Sequence, residues 1–191
     1  DTFSPDGGDD TIKGGNGEDL IMYLFSPNGV TIDLLAGEAS GWGTDTFSGI
    51  VHAVGSAHDD ILNGNGADNF IDGISGDDLL RGRGGDDEVL GGPGADVLNG
   101  GMGNDEIYAT NFYDPAYELD ANIMRGGTGN DTLIASYGDD RLEGGDGNDE
   151  LFGYPGDDHL DGGNGTDTLN GGDGTDECTE GETYVGCELI L

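Results

Sequence analysis

The sequence predicts an all-β protein, a coil of short strands stacked winding on winding into a two-sheet solenoid. Three observations carry that expectation. Near-copies of one nonapeptide recur along most of the 191 residues. Gly accounts for 41 positions while only 33% of the chain is apolar. The 41 Asp and Glu face only 5 Lys and Arg, a formal net charge of −36. Such a chain is too poor in apolar side chains for a thick core of packed helices, and its length suits one ordinary or one elongated domain.

The repeat comes first because a missed period misassigns the whole fold. GGNGEDLIM from Gly14, GGPGADVLN from Gly91, GGMGNDEIY from Gly100, GGTGNDTLI from Gly126, GGDGNDELF from Gly144, GGNGTDTLN from Gly162 and GGDGTDECT from Gly171 share one template. It reads G-G-x-G-x-D-x-U-x, with U apolar. GRGGDDEVL from Gly82, ASYGDDRLE from Ala135 and GYPGDDHLD from Gly153 are weaker copies in the same phase. NGNGADNFI, GISGDDLLR and GSAHDDIL extend the array upstream, with Asp72 read as one extra residue. On this phase the Asp position falls at Asp10, Asp19, Asp59, Asp68, Asp78, Asp87, Asp96, Asp105, Asp131, Asp140, Asp149, Asp158, Asp167 and Asp176.

Each template position has a physical task. The six residues GGxGxD make a turn in which glycine adopts backbone angles closed to other residues and leaves carbonyl oxygens accessible. The remaining x-U-x is a short strand whose middle side chain points inward while its neighbours face water. Ile12, Ile21, Ile61, Phe70, Leu80, Val89, Leu98, Ile107, Leu133, Leu142, Leu151, Leu160 and Leu169 are the expected inner rows. Two consecutive nonapeptides give strand, turn, strand, turn, and so one complete winding.

Asp residues one winding apart, such as Asp78 and Asp96 or Asp131 and Asp149, then stack into two columns of carboxylates. Neighbouring strands lie about 4.8 Å apart, so bare like charges along each column repel strongly. A hard dication between windings removes that repulsion. Ca²⁺ accepts six to eight oxygens, carbonyls included, in irregular geometry, whereas Mg²⁺ demands an octahedron and keeps its waters; Ca²⁺ is the better fit. Without a cation, charge this high and hydrophobicity this low describe a disordered chain.

The same template resembles the RTX family of calcium-binding repeats, on in-phase copies covering roughly residues 6–22 and 55–179. VTIDLLAGEASGWGTDTFSGIVHAVGSAHDDILNGNG, from Val30 to Gly66, is similar to the non-repeat segment that often introduces such arrays. The resemblance implies a right-handed parallel β-roll holding multiple calcium ions, about ten. It implies ligation by the Asp side chains above together with turn carbonyls such as those of Gly91, Gly100, Gly126, Gly144 and Gly162. It further implies an extracellular protein whose array folds on meeting calcium after export.

The expected organisation follows in chain order: first repeats at 1–22, an introducing segment at 23–54 packed on the roll, a main roll at 55–179 interrupted at 109–125, and a C-terminal cap at 180–191. Within the introducing segment, GTDTF from Gly43 makes Asp45 a further candidate ligand. Within the interruption, seventeen residues are read as one winding with a distorted turn, Asn122 at an Asp position and Met124 facing inward. Phe112, Tyr113 and Tyr117 there are either a partner-binding patch or loop packing. Cys178 and Cys187, with no metal-type CxxC pair, suggest a disulfide that pins the cap and an oxidising compartment, free thiols being the alternative.

Charge excludes whole classes of partner. Nucleic acids and anionic membranes need cationic patches, and no apolar run is long enough for a helical membrane span. His52, His58 and His159 lie in no H-E-x-x-H spacing, and no glycine turn is followed by the Lys of a phosphate loop. No nucleophile with its base is apparent, so the chain reads as a non-enzyme: a calcium-binding structural module of a secreted protein. The alternatives are the non-catalytic C-terminal module of a larger secreted enzyme or toxin, or an adhesive or ice-binding roll. Ice binding needs a ladder of Thr and Asn, and positions three and five offer Thr128 with Asn130 in one turn only. The chain begins at Asp1 without a signal peptide, as expected of a processed or excised piece that has a neighbouring domain. A protein or glycan partner stays open.

Overall fold

The computed structural model describes residues 1–110, 119–181, 183–187 and 189–190. Phe112, Tyr113 and Tyr117 lie outside the described residues. The chain winds between two sheets. One holds ten strands, in the order β1 (Thr2–Phe3), β3 (Leu20–Met22), β7 (His52–Val54), β9 (Phe70–Asp72), β11 (Glu88–Leu90), β13 (Glu106–Tyr108), β15 (Thr132–Ile134), β17 (Glu150–Phe152), β19 (Thr168–Asn170) and β21 (Thr183–Val185). The other holds twelve, in the order β2 (Thr11–Lys13), β6 (Thr44–Ser48), β5 (Glu38–Ser40), β4 (Thr31–Asp33), β8 (Ile61–Asn63), β10 (Leu79–Gly84), β12 (Val97–Met102), β14 (Ile123–Thr128), β16 (Arg141–Asp146), β18 (His159–Asn164), β20 (Glu177–Thr179) and β22 (Leu189–Ile190). Successive strands alternate between sheets from β7 onward, so the molecule is a parallel β-roll.

The core is two rows of side chains, one from the middle of each strand. Leu62, Leu80, Leu98, Met124, Leu142, Leu160 and Cys178 stack in register in the twelve-stranded sheet. Ile21, Ala53, Ile71, Val89, Ile107, Leu133, Leu151 and Leu169 do the same in the ten-stranded one. Every one is fully buried. Burying one medium apolar side chain contributes only about 1.5–3 kcal/mol, so a winding held by two of them rests heavily on its backbone ladder. The turns that join strands need glycine where windings touch. Gly129 has φ 129°, and a Cβ there would stand 1.6 Å from the Gly103 carbonyl oxygen of the preceding winding.

Two expectations about phase are corrected. Leu62 and Ile71 are the buried residues, while Ile61 is exposed and Phe70 only half-buried. The repeat runs unbroken through 55–81, and Asp72 is its ninth position rather than an extra residue. The cause is that each of these strands carries two adjacent apolar residues, so the nonapeptide fits in two registers. Pairing of Leu62 with Leu80 and of Ile71 with Val89 selects one of them.

The introducing segment does not lie against the roll. Three of its strands enter the twelve-stranded sheet, where β4 runs parallel to β8, β5 runs antiparallel to both β4 and β6, and β6 returns parallel to β2, while β7 joins the ten-stranded sheet. Arg83 ties this hairpin to the repeats through paired hydrogen bonds to both Asp33 oxygens, at 2.9 and 2.7 Å. Its core is wider than that of the repeats, with Tyr23, Val30, Ile32, Phe47 and Ile50 buried together and Trp42 packed beside them.

The interruption is corrected as well. Asp96 donates its N–H to Asn122 across 26 residues where other windings take 18. The stack therefore advances by one winding from Asp96 to Asn122 and from Asp105 to Asp131, each step eight residues longer than the regular one. Asn122 and Met124 are buried in the Asp and inner rows. Past Thr179 both sheets gain one more strand, β21 and β22, and the Cys178–Cys187 disulfide closes the floor of the core.

Candidate metal centre

The turns align their sixth residues into two columns, one before each sheet. In the first, the backbone N–H groups of Asp60, Asp78, Asp140 and Asp158 donate to the Oδ1 atoms of Asp78, Asp96, Asp158 and Asp176 at 2.7–2.9 Å. In the second, Asp87, Asp105, Asp131 and Asp149 donate to Asp105, Asp131, Asp149 and Asp167 at 2.8–2.9 Å. Each carboxylate thus holds the winding before it by one oxygen, and all of them are at most 2% exposed.

The other oxygen is what sets these positions apart. Oδ2 of Asp19, Asp78, Asp87, Asp105, Asp131, Asp149 and Asp158 is buried and has no hydrogen-bond partner. Burial accordingly pushes the carboxyls of Asp78, Asp87, Asp131 and Asp158 up to about 7, and those of Asp105 and Asp149 up to about 6. Neighbouring carboxylates add to the rise, and the incoming N–H opposes it. A buried acceptor left unmade costs about 1–3 kcal/mol, more when charged, so its recurrence at these seven rungs is a systematic deficit.

Backbone oxygens converge on the same spaces. A Cβ on Gly82 would stand 2.1 Å from Asp87 Oδ2 and 2.6 Å from the Gly100 oxygen of the next winding. Gly126 faces Asp131 Oδ2 and the Gly144 oxygen in the same way, Gly144 faces Asp149 Oδ2 and the Gly162 oxygen, and Gly73 faces Asp78 Oδ2 and the Gly91 oxygen. The five glycines named from the sequence therefore border these cradles. Among the described residues no three His, Cys, Asp or Glu side chains gather as a metal cluster. Any ion held here must take carbonyl oxygens alongside one carboxylate per winding, a donor set that suits a hard cation such as Ca²⁺ and not a thiophilic or imidazole-seeking metal.

Asp19 and the ten sixth-position Asp, Asp78, Asp87, Asp96, Asp105, Asp131, Asp140, Asp149, Asp158, Asp167 and Asp176, occupy the columns. Asp10 is half-buried at the first rung, its N–H given to Asp45 Oδ1 at 2.8 Å. Asp59 and Asp68 are corrected: both are exposed at the fifth position, where their Oδ1 atoms accept the N–H of Asp77 and Asp86. Asp60 and Asn69 hold the buried places instead. Counting back in nines from Asp78 would have found them. Asp45 stands in the column, but Tyr23 Oη donates to its second oxygen at 2.5 Å. Val51 takes the corresponding place before β7, where a carboxylate is missing altogether. His52, His58 and His159 share no site. His52 Nδ1 accepts the Phe70 N–H at 3.0 Å, and His159 lies 3.4 Å from Glu177.

A parallel roll with two axial columns of buried carboxylates and inward carbonyls is a cation-binding repeat protein. A family profile described as the RTX calcium-binding nonapeptide repeat matches residues 1–23, 54–89, 72–107, 81–114, 119–151 and 143–178. That is well over half of the chain, which belongs to this family and is a calcium-binding repeat module. No curated protein matches the chain significantly.

Proposed function

We propose that the chain is a non-catalytic structural module of a secreted protein, which folds when it meets millimolar calcium outside the cell. The observation that supports this most directly is the buried, unpartnered Oδ2 recurring along both columns. Bound calcium would supply the missing positive charge between windings. The proposed ligands are the column Asp residues, Asp19, Asp78, Asp87, Asp96, Asp105, Asp131, Asp149, Asp158, Asp167 and Asp176 among them, with the position-one carbonyls. About ten ions at ten times Kd would each add RT ln 11, about 1.4 kcal/mol, to the folded state alone. Extracellular calcium modules bind with Kd of roughly 10⁻⁴–10⁻³ M, so cytosolic calcium leaves the columns uncompensated and the unfolded chain favoured. The disulfide and the family's calcium repeats support an oxidising, extracellular setting.

Circular dichroism during a calcium titration of the chelated protein tests the reading. A steep, cooperative gain of β-signal near the millimolar range is expected. Full β-structure after exhaustive chelation would defeat it.

A further inference from the structure

Not every rung of the columns is open. Ser56 donates its N–H to Asp60 Oδ2 at 2.5 Å, its hydroxyl lies 3.0 Å from Oδ1, and Val30 N–H reaches Oδ1 at 2.6 Å. Ser136 donates its N–H to Asp140 Oδ2 at 3.0 Å, while Asn122 gives Oδ1 both its N–H (2.7 Å) and its amide Nδ2 (3.1 Å). Asn65 donates its N–H to Asn69 Oδ1 at 2.8 Å, and Asn69 Nδ2 goes to the Val51 oxygen at 2.7 Å. At these three rungs protein N–H groups fill the place that is empty of donors elsewhere.

Ser56, Asn65 and Ser136 share one address, the second position of the nonapeptide. The backbone there sorts the rungs. Ahead of Asp19, Asp105, Asp131 and Asp149, the second position is Gly15, Gly101, Gly127 or Gly145, each with φ between 101° and 118°. Ahead of Asp78, Asp87 and Asp158 it is Ile74, Arg83 or Tyr154, and these non-glycine residues also take positive φ, at 81°, 81° and 69°. Such a conformation costs a non-glycine residue about 1–3 kcal/mol. All seven of these rungs carry an orphaned Oδ2. Ser56, Asn65 and Ser136 are absent from the positive-φ residues, and none of their rungs has an orphan. With φ negative, the peptide N–H turns into the rung and occupies the sixth residue's oxygen. With φ positive it does not, and that oxygen stays open toward the next winding's carbonyl.

We infer that the backbone at the second nonapeptide position decides whether a rung takes a calcium ion, and that Ser56, Asn65 and Ser136 close theirs. The rungs of Asp60, Asn69 and Asp140 are hydrogen-bonded joints that hold no ion. An ion there would meet an inward N–H, the positive end of a dipole, and would have to displace it. The inference rests on the calcium reading above and sharpens it to individual rungs.

Counting bound calcium by native mass spectrometry, with a crystal structure grown in calcium chloride to locate the ions, tests it. The wild type should show ions beside Asp131 and Asp158 and none beside Asp60 or Asp140. Ser136→Gly should bind one ion more. Tyr154→Ser should bind one fewer while Tyr154→Gly keeps the wild-type count, a pair that carries the test if Ser136→Gly fails to fold. An ion beside Asp60 or Asp140 in the wild type overturns the inference and leaves the calcium reading intact, as does an equal count in Tyr154→Ser and Tyr154→Gly. A wild type that binds no calcium defeats both.

Discussion

Residues 23–69 and residues 73–179 occupy the same two sheets yet balance their buried charge by different means. In the first region Asp45 is met by the Asp10 N–H and the Tyr23 hydroxyl, and Asp60 by Ser56 and Val30. Antiparallel β5 breaks the winding, an Arg83–Asp33 pair ties the hairpin down, and a cluster of large apolar side chains fills the interior. In the second region nonapeptides recur with one longer step, each strand adds one side chain to an inner row, and Oδ2 of Asp78, Asp87, Asp105, Asp131, Asp149 and Asp158 lacks a donor, Asp140 being the exception. One slot in the fold therefore has two solutions. A specific donor satisfies it at the cost of an irregular sequence, whereas a repeated sequence leaves it to an ion.

The largest effect that can break this contrast is chelation. Hydrogen exchange in EDTA should show amides of 73–108 and 123–179 losing most of their protection, while those of β4 and β6 retain a measurable fraction. Equal loss everywhere would mean that the hydrogen-bonded region has no stability of its own.

Acidification comes next. In the chelated protein, Asp78, Asp87, Asp131 and Asp158 titrate at about 7 in the fold, and an unfolded Asp titrates near 3.8. Between those values the folded state holds more protons, so its stability is greatest below about pH 4 and falls as pH rises through 7. Lowering pH from 8 toward 5 in EDTA should restore β-signal, and in calcium the same change should lower the ion concentration at the folding midpoint while weakening the affinity of the folded chain, because protons and calcium compete for the same oxygens. A calcium midpoint independent of pH between 5 and 8 would contradict the buried columns.

Opening the disulfide should cost roughly 2–3 kcal/mol for so short a loop. The lower melting temperature, read by differential scanning calorimetry in reductant with calcium present, should come with faster exchange in β19 and β20 and leave β4 unchanged. The smallest change is Tyr23→Phe, which strips the donor from Asp45 Oδ2 and should cost about 1–3 kcal/mol by urea denaturation. Burial and Asp45 hold the Tyr23 hydroxyl well above its ordinary pKa, so this donor stays protonated across the accessible pH range. A neutral outcome would show that water reaches Asp45 and that the two regions differ less than their hydrogen bonds suggest.

Spacing alone made the columns legible. Asp residues eighteen apart must stack once two nonapeptides close a winding, and a single apolar residue per nonapeptide must face the only interior there is. Cys178 and Cys187 were readable for the same reason, being few and near. What spacing left open was phase and conformation. Asp59 beside Asp60, Asp68 beside Asn69, Ile61 beside Leu62 and Phe70 beside Ile71 offer the template two registers, and cross-strand packing onto Leu80 and Val89 chose between them. The antiparallel strand at Glu38–Ser40 carries no repeat signal, and the bond from Tyr23 to Asp45 joins residues 22 apart in sequence. Composition named the residues of the second position, but whether each N–H turned toward its carboxylate depended on φ, which the stacked windings settle through their hydrogen bonds. Side-chain periodicity is local and survives in the sequence; the direction of a peptide N–H is fixed only when the neighbouring winding is in place.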